Sequence, residues 1–297
     1  MFGWFNNLYA RSDNVKAYVL LSPALLLVIL GMAVPIMAMF GISFTTQAGF
    51  EIDYTPTLDR YSEFVDTSSR TGAILTTLLS RSVTISFLVT VFTLLTTYPV
   101  AYYVAFYVKK NKILWIVLMT LPFWTSYLLR VFAWKLILGH SGVINAGLMT
   151  VGLTDEPLSF LMYSQTAVVI TLSHAWAAFA LLPLYVSLDK IDYSLIEASH
   201  DLGCSKFETF WRVTWPLSLP GVIGAILIIF IPTVGDFVTP ALVGGTEGRM
   251  LSNMISAYFG RVNNFPLGAA SAVLMLISVV TVTIIVNFVT KRLTQRL

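Results

Sequence analysis

The sequence predicts an all-α membrane protein that crosses the bilayer six times. Of its 297 residues, 57% are hydrophobic and only 11% are charged, and the mean hydropathy is +0.79. Soluble globular chains carry about 25% charged residues, so this chain has too few charges to cover a particle of its size in water. The uncharged residues also fall into six long stretches. Together these observations predict a polytopic membrane protein.

Each predicted span is a stretch without Asp, Glu, Lys, Arg or His, long enough for the roughly 20 residues that cross a bilayer. His174 interrupts the fourth stretch. The stretches are residues 17–50, 82–108, 113–129, 157–188, 213–235 and 262–290. The third is short, and we expect its helix to extend past Arg130 to about Leu138, with the basic groups reaching the headgroups.

The predicted spans form one membrane domain, with the first helix at its periphery. Residues 1–16 are a cytoplasmic or interfacial segment, which its aromatic residues allow to be a short surface helix or a disordered tail. Residues 17–70 hold the first helix, which is too long for a signal-peptide core, and the loop after it. Residues 71–290 hold a core of five helices, and residues 291–297 are a cytoplasmic tail.

The distribution of basic residues predicts the orientation. Most Lys and Arg residues lie in the segments that share a side with the N-terminus, whereas the first loop on the opposite side is acidic. Because cytoplasmic loops carry an excess of Lys and Arg, we expect both termini in the cytoplasm.

Several classes of function are disfavoured by the residues themselves. A net charge of +3 is too small to hold nucleic-acid phosphates, and one cysteine, Cys204, excludes a disulfide framework or a cysteine-based zinc site. His140 and His200 fall in loops on opposite sides of the predicted membrane, and His174 is better explained by helix packing than by ligand binding. We therefore expect no catalytic residue, metal or cofactor. The chain also lacks the Gly-x-x-x-x-Gly-Lys-Ser/Thr phosphate loop.

The loop between the fourth and fifth spans, residues 189–216, predicts two short helices. Ser194 with Glu197, and Ser205 with Glu208, have the spacing of a capping box. Gly203 stands between them, where a helix commonly ends in the left-handed conformation. The second helix is expected to end before Pro216.

Apolar side chains recur on both helices of this loop. The first helix places four of them on one face, and three aromatic residues cluster on the second. The residues are Ile191, Leu195, Ala198 and Leu202, then Phe207, Phe210 and Trp211. Such a cluster on a cytoplasmic loop either docks on a partner or packs against the chain's own helix ends.

The same loop resembles the EAA loop of bacterial ABC importer permeases. The pattern Glu-Ala-Ala, three residues, Gly, nine residues, Ile-x-Leu-Pro is matched here from Glu197 through Gly203 to Pro216. The departures, at positions that tolerate side chains of different size, are Ser199, Val213 and Trp215.

The resemblance implies the type I ABC importer permease fold and an inner-membrane location in bacteria. It implies a coupling helix that contacts a dimer of cytoplasmic ATP-binding subunits, on which ATP is hydrolysed. It also implies a second homologous permease and a periplasmic substrate-binding protein. The implied coupling residues are Glu197, Ala198, Ser199, Leu202, Gly203, Phe207 and Pro216. Within the family, Glu197 would pair with a basic group of the ATPase and Gly203 would set the turn.

Two further stretches are similar to the spermidine/putrescine branch of these permeases. They are residues 121–134 and residues 231–240, the latter followed by Gly244-Gly245. The similarity implies transport of a small cationic solute, such as a polyamine or a related amine or opine. The candidate residues of the translocation path are Trp124, Tyr127, Arg130, Asp236 and Phe237.

Asp236 has two interpretations from its chemistry. It is the acid that lies beside an uncharged span, and a carboxylate next to aromatic faces suits an alkylammonium group. Alternatively, it caps a broken helix or pairs with Arg130. Arg130 and Lys135 also argue against a purely anionic path.

Three other functions stay open from the residues. A transporter of the same class could carry a different solute, such as an amino-acid conjugate or a phosphonate. A secondary transporter driven by an ion gradient would need several intramembrane ionisable residues and inverted repeats, for which the chain offers little. A membrane enzyme would need a catalytic constellation that the sequence lacks.

Overall fold

The computed structural model describes residues 13–49 and 51–294. Residues 1–12 of the predicted interfacial segment and residues 295–297 of the predicted tail lie outside the described residues. The first helix begins at Asp13, within the segment expected to precede it.

Most of the described chain is helical. The helices are α1 (Asp13–Ser43), α2 (Asp59–Val65), α3 (Arg70–Phe106), α4 (Lys112–Thr120), α5 (Tyr127–Leu138), α6 (Val143–Thr150), α7 (Gln165–Asp189), α8 (Tyr193–Asp201), α9 (Lys206–Thr209), α10 (Trp215–Val234), α11 (Leu251–Ala257) and α12 (Phe265–Thr294). Short 3-10 helices cover Leu121–Trp124 and Ser159–Leu161, and π-helical turns cover Phe210–Thr214, Pro240–Gly244 and Tyr258–Val262. Strands β1 (Thr46–Ala48) and β2 (Glu51–Asp53) form an antiparallel hairpin in which Thr46 pairs with Asp53.

Six stretches of helix in the described residues are long and apolar enough to cross a membrane, which confirms the predicted number of spans. The first uncharged stretch is shorter as a helix than as a run of residues, because α1 ends at Ser43 and the hairpin follows. The all-α fold class is therefore confirmed.

The third span was predicted as one continuous helix, and that prediction is wrong. Helix α4 ends at Thr120, and the 3-10 turn Leu121–Trp124 separates it from α5. Pro122 lies in this turn, where its missing N–H and rigid ring interrupt the helix. By length and hydropathy alone, the third of the six stretches is Tyr127–Thr150, and Lys112–Trp124 is a shorter apolar helix. Gly139–Gly142, however, interrupts the Tyr127–Thr150 stretch.

Contacts along α7 place the third crossing on α4 and α5. Lys112 Nζ lies 2.7 Å from Asp189 Oδ1 at one end of α7. Near the middle of α7, the rings of Trp134 and His174 lie 5.3 Å apart. Residues 112–134 therefore run antiparallel to α7 from Asp189 back to His174, in agreement with the expected extension of the third span past Arg130.

Helices α3, α7 and α10 form the centre of the bundle, and α1 lies outside it against α12. In the most apolar window of α7, 56% of the residues are buried, whereas the corresponding share for α1 is 0%. Helix α1 thus contacts the rest of the described chain mainly through α12.

Helices α7 and α10 approach each other at Gly221. A Cβ atom at this position would lie 2.4 Å from Ser187 Cβ and 2.5 Å from the carbonyl oxygen of Pro183. Only hydrogen in place of a side chain allows this distance between the two backbones. Because α7 precedes residues 189–216 and α10 follows them, this contact fixes both ends of that segment.

The opposite end of the bundle has its own small core. Helices α2, α3, α11 and α12 meet there around Phe64, Leu75, Leu251 and Leu267. The β hairpin is tied to the start of α12, because Gln47 Oε1 accepts a hydrogen bond from the backbone N–H of Phe265 at 3.1 Å.

Candidate functional site

The first helix of residues 189–216 is capped differently from the prediction. Helix α8 begins at Tyr193, and Asp192 is its N-cap, whose Oδ1 accepts a hydrogen bond from the Ser194 N–H at 3.0 Å. The predicted capping box at Ser194 and Glu197 is therefore wrong, since Ser194 already lies inside the helix. The hydrogen bond from the Ser194 backbone lowers the pKa of the Asp192 carboxyl below its ordinary value.

The turn and the second cap match the prediction. Gly203 has a φ of +83°, the left-handed conformation that glycine adopts without steric cost. Ser205 and Glu208 form a capping box, in which the Ser205 N–H donates to Glu208 Oε2 at 2.9 Å and the Glu208 N–H donates to Ser205 Oγ at 3.3 Å. This box fixes the start of α9.

Helix α9 does not end before Pro216 as predicted. It continues through the π-helical turn Phe210–Thr214 into α10. Pro216 lies at the first positions of α10, where the missing N–H of proline is tolerated. The loop is therefore joined to the fifth span by continuous helix, which makes it a stiff extension of α10.

Residues 189–216 expose a patch of large apolar side chains, which we call the coupling surface: Leu195, Leu202, Phe207 and Trp211. Leu202 is 85% exposed and Phe207 is 72% exposed. Ala198, on the face that the spacing predicted, is exposed as well. The self-packing alternative therefore fails for Leu202 and Phe207. It holds in part for Trp211, whose ring centroid lies 5.3 Å from that of Phe210 and 5.7 Å from that of Trp215.

Helix α8 has one exposed face, which carries Glu197, and one buried face. Glu197 is exposed and forms no ion pair with any described residue. Ile196 and Ser199 are the buried residues of the helix. Helix α8 thus turns its Ile196 side to the protein and leaves Glu197 free, and Leu202, directly after the helix, is exposed as well.

Buried contacts that the sequence did not indicate fix the coupling surface to the rest of the chain. Ser199 Oγ lies 2.7 Å from Thr209 Oγ1 in a buried hydrogen bond between α8 and α9. Ser199 is one of the departures from the Glu-Ala-Ala pattern, and its hydroxyl here joins the two short helices. Phe210 packs edge-on against Tyr98 with ring centroids 6.0 Å apart, and Tyr98 Oη lies 2.8 Å from Ser218 Oγ. These contacts connect the surface to α3 and α10.

Two of the predicted path residues, Tyr127 and Asp236, meet near the end of α10, and we call them together with Thr239 the membrane cluster. The Tyr127 hydroxyl donates to Asp236 Oδ2 at 2.5 Å and lies 2.5 Å from Thr239 Oγ1. Asp236 Oδ1 accepts a hydrogen bond from the Val238 N–H at 2.9 Å. Asp236 therefore caps the break after α10 and links it to the start of α5.

Arg130 lies beside the membrane cluster but is not paired with its acid. Its Nη1 donates to the Ala175 carbonyl oxygen at 2.9 Å, and its guanidinium lies 5.8 Å from the Tyr127 ring centroid and 6.0 Å from that of Phe123. No ion pair joins Arg130 and Asp236 among the described residues. Arg130 Nε is buried and has no hydrogen-bond partner among those residues. A hydrogen-bond donor is thus left unused next to the cluster.

The two remaining path candidates stay accessible. Trp124 is 83% exposed at the break between α4 and α5, and Phe237 is 51% exposed at the break after α10. The structure therefore brings Tyr127 and Asp236 into contact, with Arg130 beside Tyr127, and leaves the two aromatic faces uncovered. Thr239 was missed by sequence reasoning, although its position three residues after Asp236 was a usable signal.

A cavity of about 750 Å³ lies between α3, α7 and the broken third span. Its lining is mostly apolar and includes Phe92, Met119, Trp134 and His174. No feature of the sequence indicated it. His174 lies against the Trp134 ring on its wall, in agreement with a packing role.

Comparison with known proteins places the chain among transport components. Residues 21–297 match the family described as binding-protein-dependent transport system inner membrane component. The chain is 33% identical over 245 residues to the spermidine/putrescine transport system permease protein PotB of Escherichia coli, covering 82% of this chain and 86% of that protein. It is 31% identical over 229 residues to the inner membrane ABC transporter permease protein YdcU of the same organism, covering 73% and 71% of the two chains.

Solved structures of similar fold include a bacterial ABC transporter involved in the import of the acidic polysaccharide alginate. That match has a TM-score of 0.71 at 15% identity and covers 98% of this chain and 99% of the other. The MetNI methionine ABC transporter matches with a TM-score of 0.51 at 15% identity, covering 75% of this chain and 95% of that one. These likenesses concern the fold alone.

Proposed function

This chain belongs to the family of binding-protein-dependent transport system inner membrane components, and we propose that it forms half of the translocation path of an ATP-driven importer for a small cationic solute. Membership makes it a multi-pass inner-membrane permease of an ABC importer and sets aside the secondary transporter and the membrane enzyme. The proposal adds its partners, its orientation and its solute.

The observation that carries the proposal is the coupling surface. Leu195, Leu202, Phe207 and Trp211 are exposed on short helices that are rigidly joined to α10. A patch of this kind is typical of a docking site for a partner, and Glu197 beside it can pair with a basic group. The partner is a dimer of cytoplasmic ATP-binding subunits, which hydrolyses the ATP. Closure of that dimer would move α8 and α10 as one body.

The orientation follows from this partner. ATP is available in the cytoplasm, so residues 189–216 and both termini lie there, as the distribution of Lys and Arg predicts. A second homologous permease forms the other half of the path. A periplasmic binding protein delivers the solute on the opposite side.

The solute is a polyamine or a related amine. Relatives at 32–33% identity carry the name spermidine/putrescine permease. The Tyr127 ring contacts the Asp236 carboxylate through its hydroxyl, and the exposed rings of Trp124 and Phe237 lie on the two broken segments that carry these residues. Aromatic faces and a carboxylate together suit alkylammonium groups. Because Asp236 also caps the break after α10, it serves the fold and the cation together.

The coupling proposal is tested by changing exposed leucines. Leu202→Asp should abolish capture of the ATP-binding subunit by the purified full-length permease, because it places a charge in the apolar contact. Leu153→Asp changes a leucine that is 70% exposed outside residues 189–216 and is the matched control. Equal capture by both variants would contradict the assignment of the surface.

Gly203→Pro tests transmission through the turn. Proline cannot adopt a φ of +83° and cannot donate the hydrogen bond that Gly203 N makes to His200 O at 2.9 Å. We expect loss of solute uptake, with ATP hydrolysis no longer coupled to it and the subunit still in the membrane. Gly203→Asn should retain most uptake, since Asn tolerates this conformation. Wild-type uptake by the proline variant would refute the coupling role.

The solute is tested with Asp236→Asn. Asn keeps an oxygen that accepts the Tyr127 hydrogen bond but removes the negative charge. Uptake of putrescine and spermidine should fall about tenfold, while uptake of an uncharged analogue of similar length should change little. Equal loss for both solutes would assign Asp236 to the fold alone.

A further inference from the structure

A small cavity opens at the end of the bundle where α8 begins. Its volume is about 350 Å³, and polar and apolar groups contribute to its lining. Val108, Lys109 and Lys112 lie on one wall, and Asp189, Ile191 and Tyr193 lie on the other. Tyr193 is the first residue of α8, so the cavity adjoins the helix that carries the coupling surface.

The charges around this cavity are not balanced. Lys112 Nζ donates to Asp189 Oδ1 and to the Ala105 carbonyl oxygen, both at 2.7 Å, which closes one side of the cavity. Lys109 and Lys110 are exposed and form no ion pair with any described residue. The one acid on the wall is thus already paired, and the rim carries excess positive charge.

The neighbouring helix places this charge at the membrane surface. Ile113, Leu114 and Trp115, on the first turn of α4, are 78%, 53% and 45% exposed. Because these side chains lie on the third span, outside the helix contacts of the bundle, we assign them to the lipid-facing side of the protein. Lys109 and Lys110 therefore lie at the depth of the phospholipid headgroups.

The start of α4 adds a second favourable feature for an anion. Its N-cap residue, Asn111, has a left-handed φ of 59° and makes no side-chain cap hydrogen bond. The first N–H groups of a helix carry partial positive charge and bind phosphate groups readily. Lys109 on the cavity wall, Lys110 next to it in the chain and an uncapped helix start thus lie at or beside the same cavity.

We propose that this cavity binds the phosphate of an anionic phospholipid headgroup. The acyl chains would lie along the exposed apolar face of α4, and the phosphate would contact Lys109, Lys110 and the start of α4. Ile191 and Tyr193 line the same cavity, so the bound lipid contacts the segment that leads into α8. A lipid that binds one position of α8 more tightly than another would shift the equilibrium between those positions.

The test measures lipid binding by the purified full-length chain and does not depend on transport. The protein is exchanged into nanodiscs of equal parts phosphatidylglycerol and phosphatidylcholine, released, and analysed by native mass spectrometry. We expect phosphatidylglycerol to be retained preferentially. Lys109→Gln and Lys110→Gln should each reduce this preference by about fivefold, the effect of one basic residue at a charged membrane surface.

Lys206→Gln is the control, because Lys206 is an exposed lysine of residues 189–216 that neither lines the cavity nor adjoins a lining residue in the chain. Lys112 is left unchanged, since its bonds to Asp189 and Ala105 hold the helices together. Equal loss of preference in the control, or no loss in the Lys109 and Lys110 variants, would overturn the proposal.

Two further measurements distinguish a phospholipid from a free anion and from an acidic group of the ATP-binding subunit. Inorganic phosphate at 10-fold excess over lipid should not displace phosphatidylglycerol, since the acyl chains contribute to binding. Complete displacement by phosphate would show a site for a free anion, and release on adding the ATP-binding subunit would show that the lysines instead bind that partner. Either result would refute the lipid assignment.

Discussion

The coupling surface and the membrane cluster lie near the two ends of α10 and use their side chains in opposite ways. At the coupling surface, the backbone is held by Asp192, Gly203 and a capping box, while Leu202 and Phe207 remain exposed. In the membrane cluster, each polar side chain is already hydrogen-bonded within the chain. The ordered backbone and exposed side chains of the coupling surface indicate a docking role. The mutual hydrogen bonds of the membrane cluster indicate that its side chains stabilise the fold, whatever else they do.

Helix α10 connects the two regions, so its packing against α7 has the largest expected effect. In Gly221→Ala, the new Cβ would lie within 2.5 Å of both Ser187 Cβ and the Pro183 carbonyl oxygen. Since one of these atoms is backbone, the helices must separate. We expect the free energy of unfolding to fall by at least about 2 kcal/mol, measured by thermal unfolding in detergent, and both regions to lose function.

The control for this prediction is the same change in an open position. A Cβ at Gly147, in α6, would meet nothing within 4 Å. Gly147→Ala should therefore raise the free energy of unfolding by about 0.5 kcal/mol, because alanine is the better helix residue. If both variants behaved alike, the close contact between α7 and α10 would not be what holds the two regions in place.

The sequence predictions that depend on neighbouring residues are confirmed more often than those that depend on contacts between distant parts of the chain. The six spans and the Gly203 turn depend on composition and on local geometry, and both are confirmed. The N-cap of α8 was predicted to be Ser194 but is Asp192. Both residues are good helix caps and lie two positions apart, so the sequence alone does not choose between them. The family resemblance placed Tyr127 and Asp236 in one translocation path, but their hydrogen bond joins residues 109 positions apart, and composition and local spacing carry no signal for it.

Tyr127→Phe, in the membrane cluster, should lower the stability of the fold, whereas a change in the coupling surface should not. The variant lacks the hydroxyl that donates to Asp236 and contacts Thr239. We expect a loss of about 2 kcal/mol in the free energy of unfolding, since one partner is a charged group in a partly buried place.

Exposed positions provide the comparison for that loss. Tyr54→Phe changes a tyrosine that is 74% exposed, and Leu202→Asp changes the coupling surface. Both should alter the free energy of unfolding by less than about 0.5 kcal/mol. A loss in Leu202→Asp as large as that in Tyr127→Phe would remove the distinction between a docking surface and a structural cluster.

The smallest effect concerns the cap of α8 and its dependence on pH. The pKa of Asp192 is lowered by the hydrogen bond from the Ser194 backbone, so its ionised form stabilises the folded helix. This stabilisation is complete above the ordinary pKa of 3.8 and disappears as the pH falls through the lowered folded value. Asp192→Ala should therefore speed amide hydrogen exchange in α8 a few-fold at pH 7, and the difference from the wild type should vanish in strong acid.

Asp192→Asn sharpens this prediction because asparagine caps a helix without carrying a charge. The Asn variant should keep slow exchange in α8 at pH 7 and lose the acid-dependent change. Asp201→Ala, at the far end of the helix, should leave the exchange rates at the start of α8 unaltered. If the alanine and asparagine variants exchanged equally fast at pH 7, Asp192 would not hold the start of the helix, and the rigidity of the coupling surface would have to come from Ser199, Thr209 and Phe210 instead.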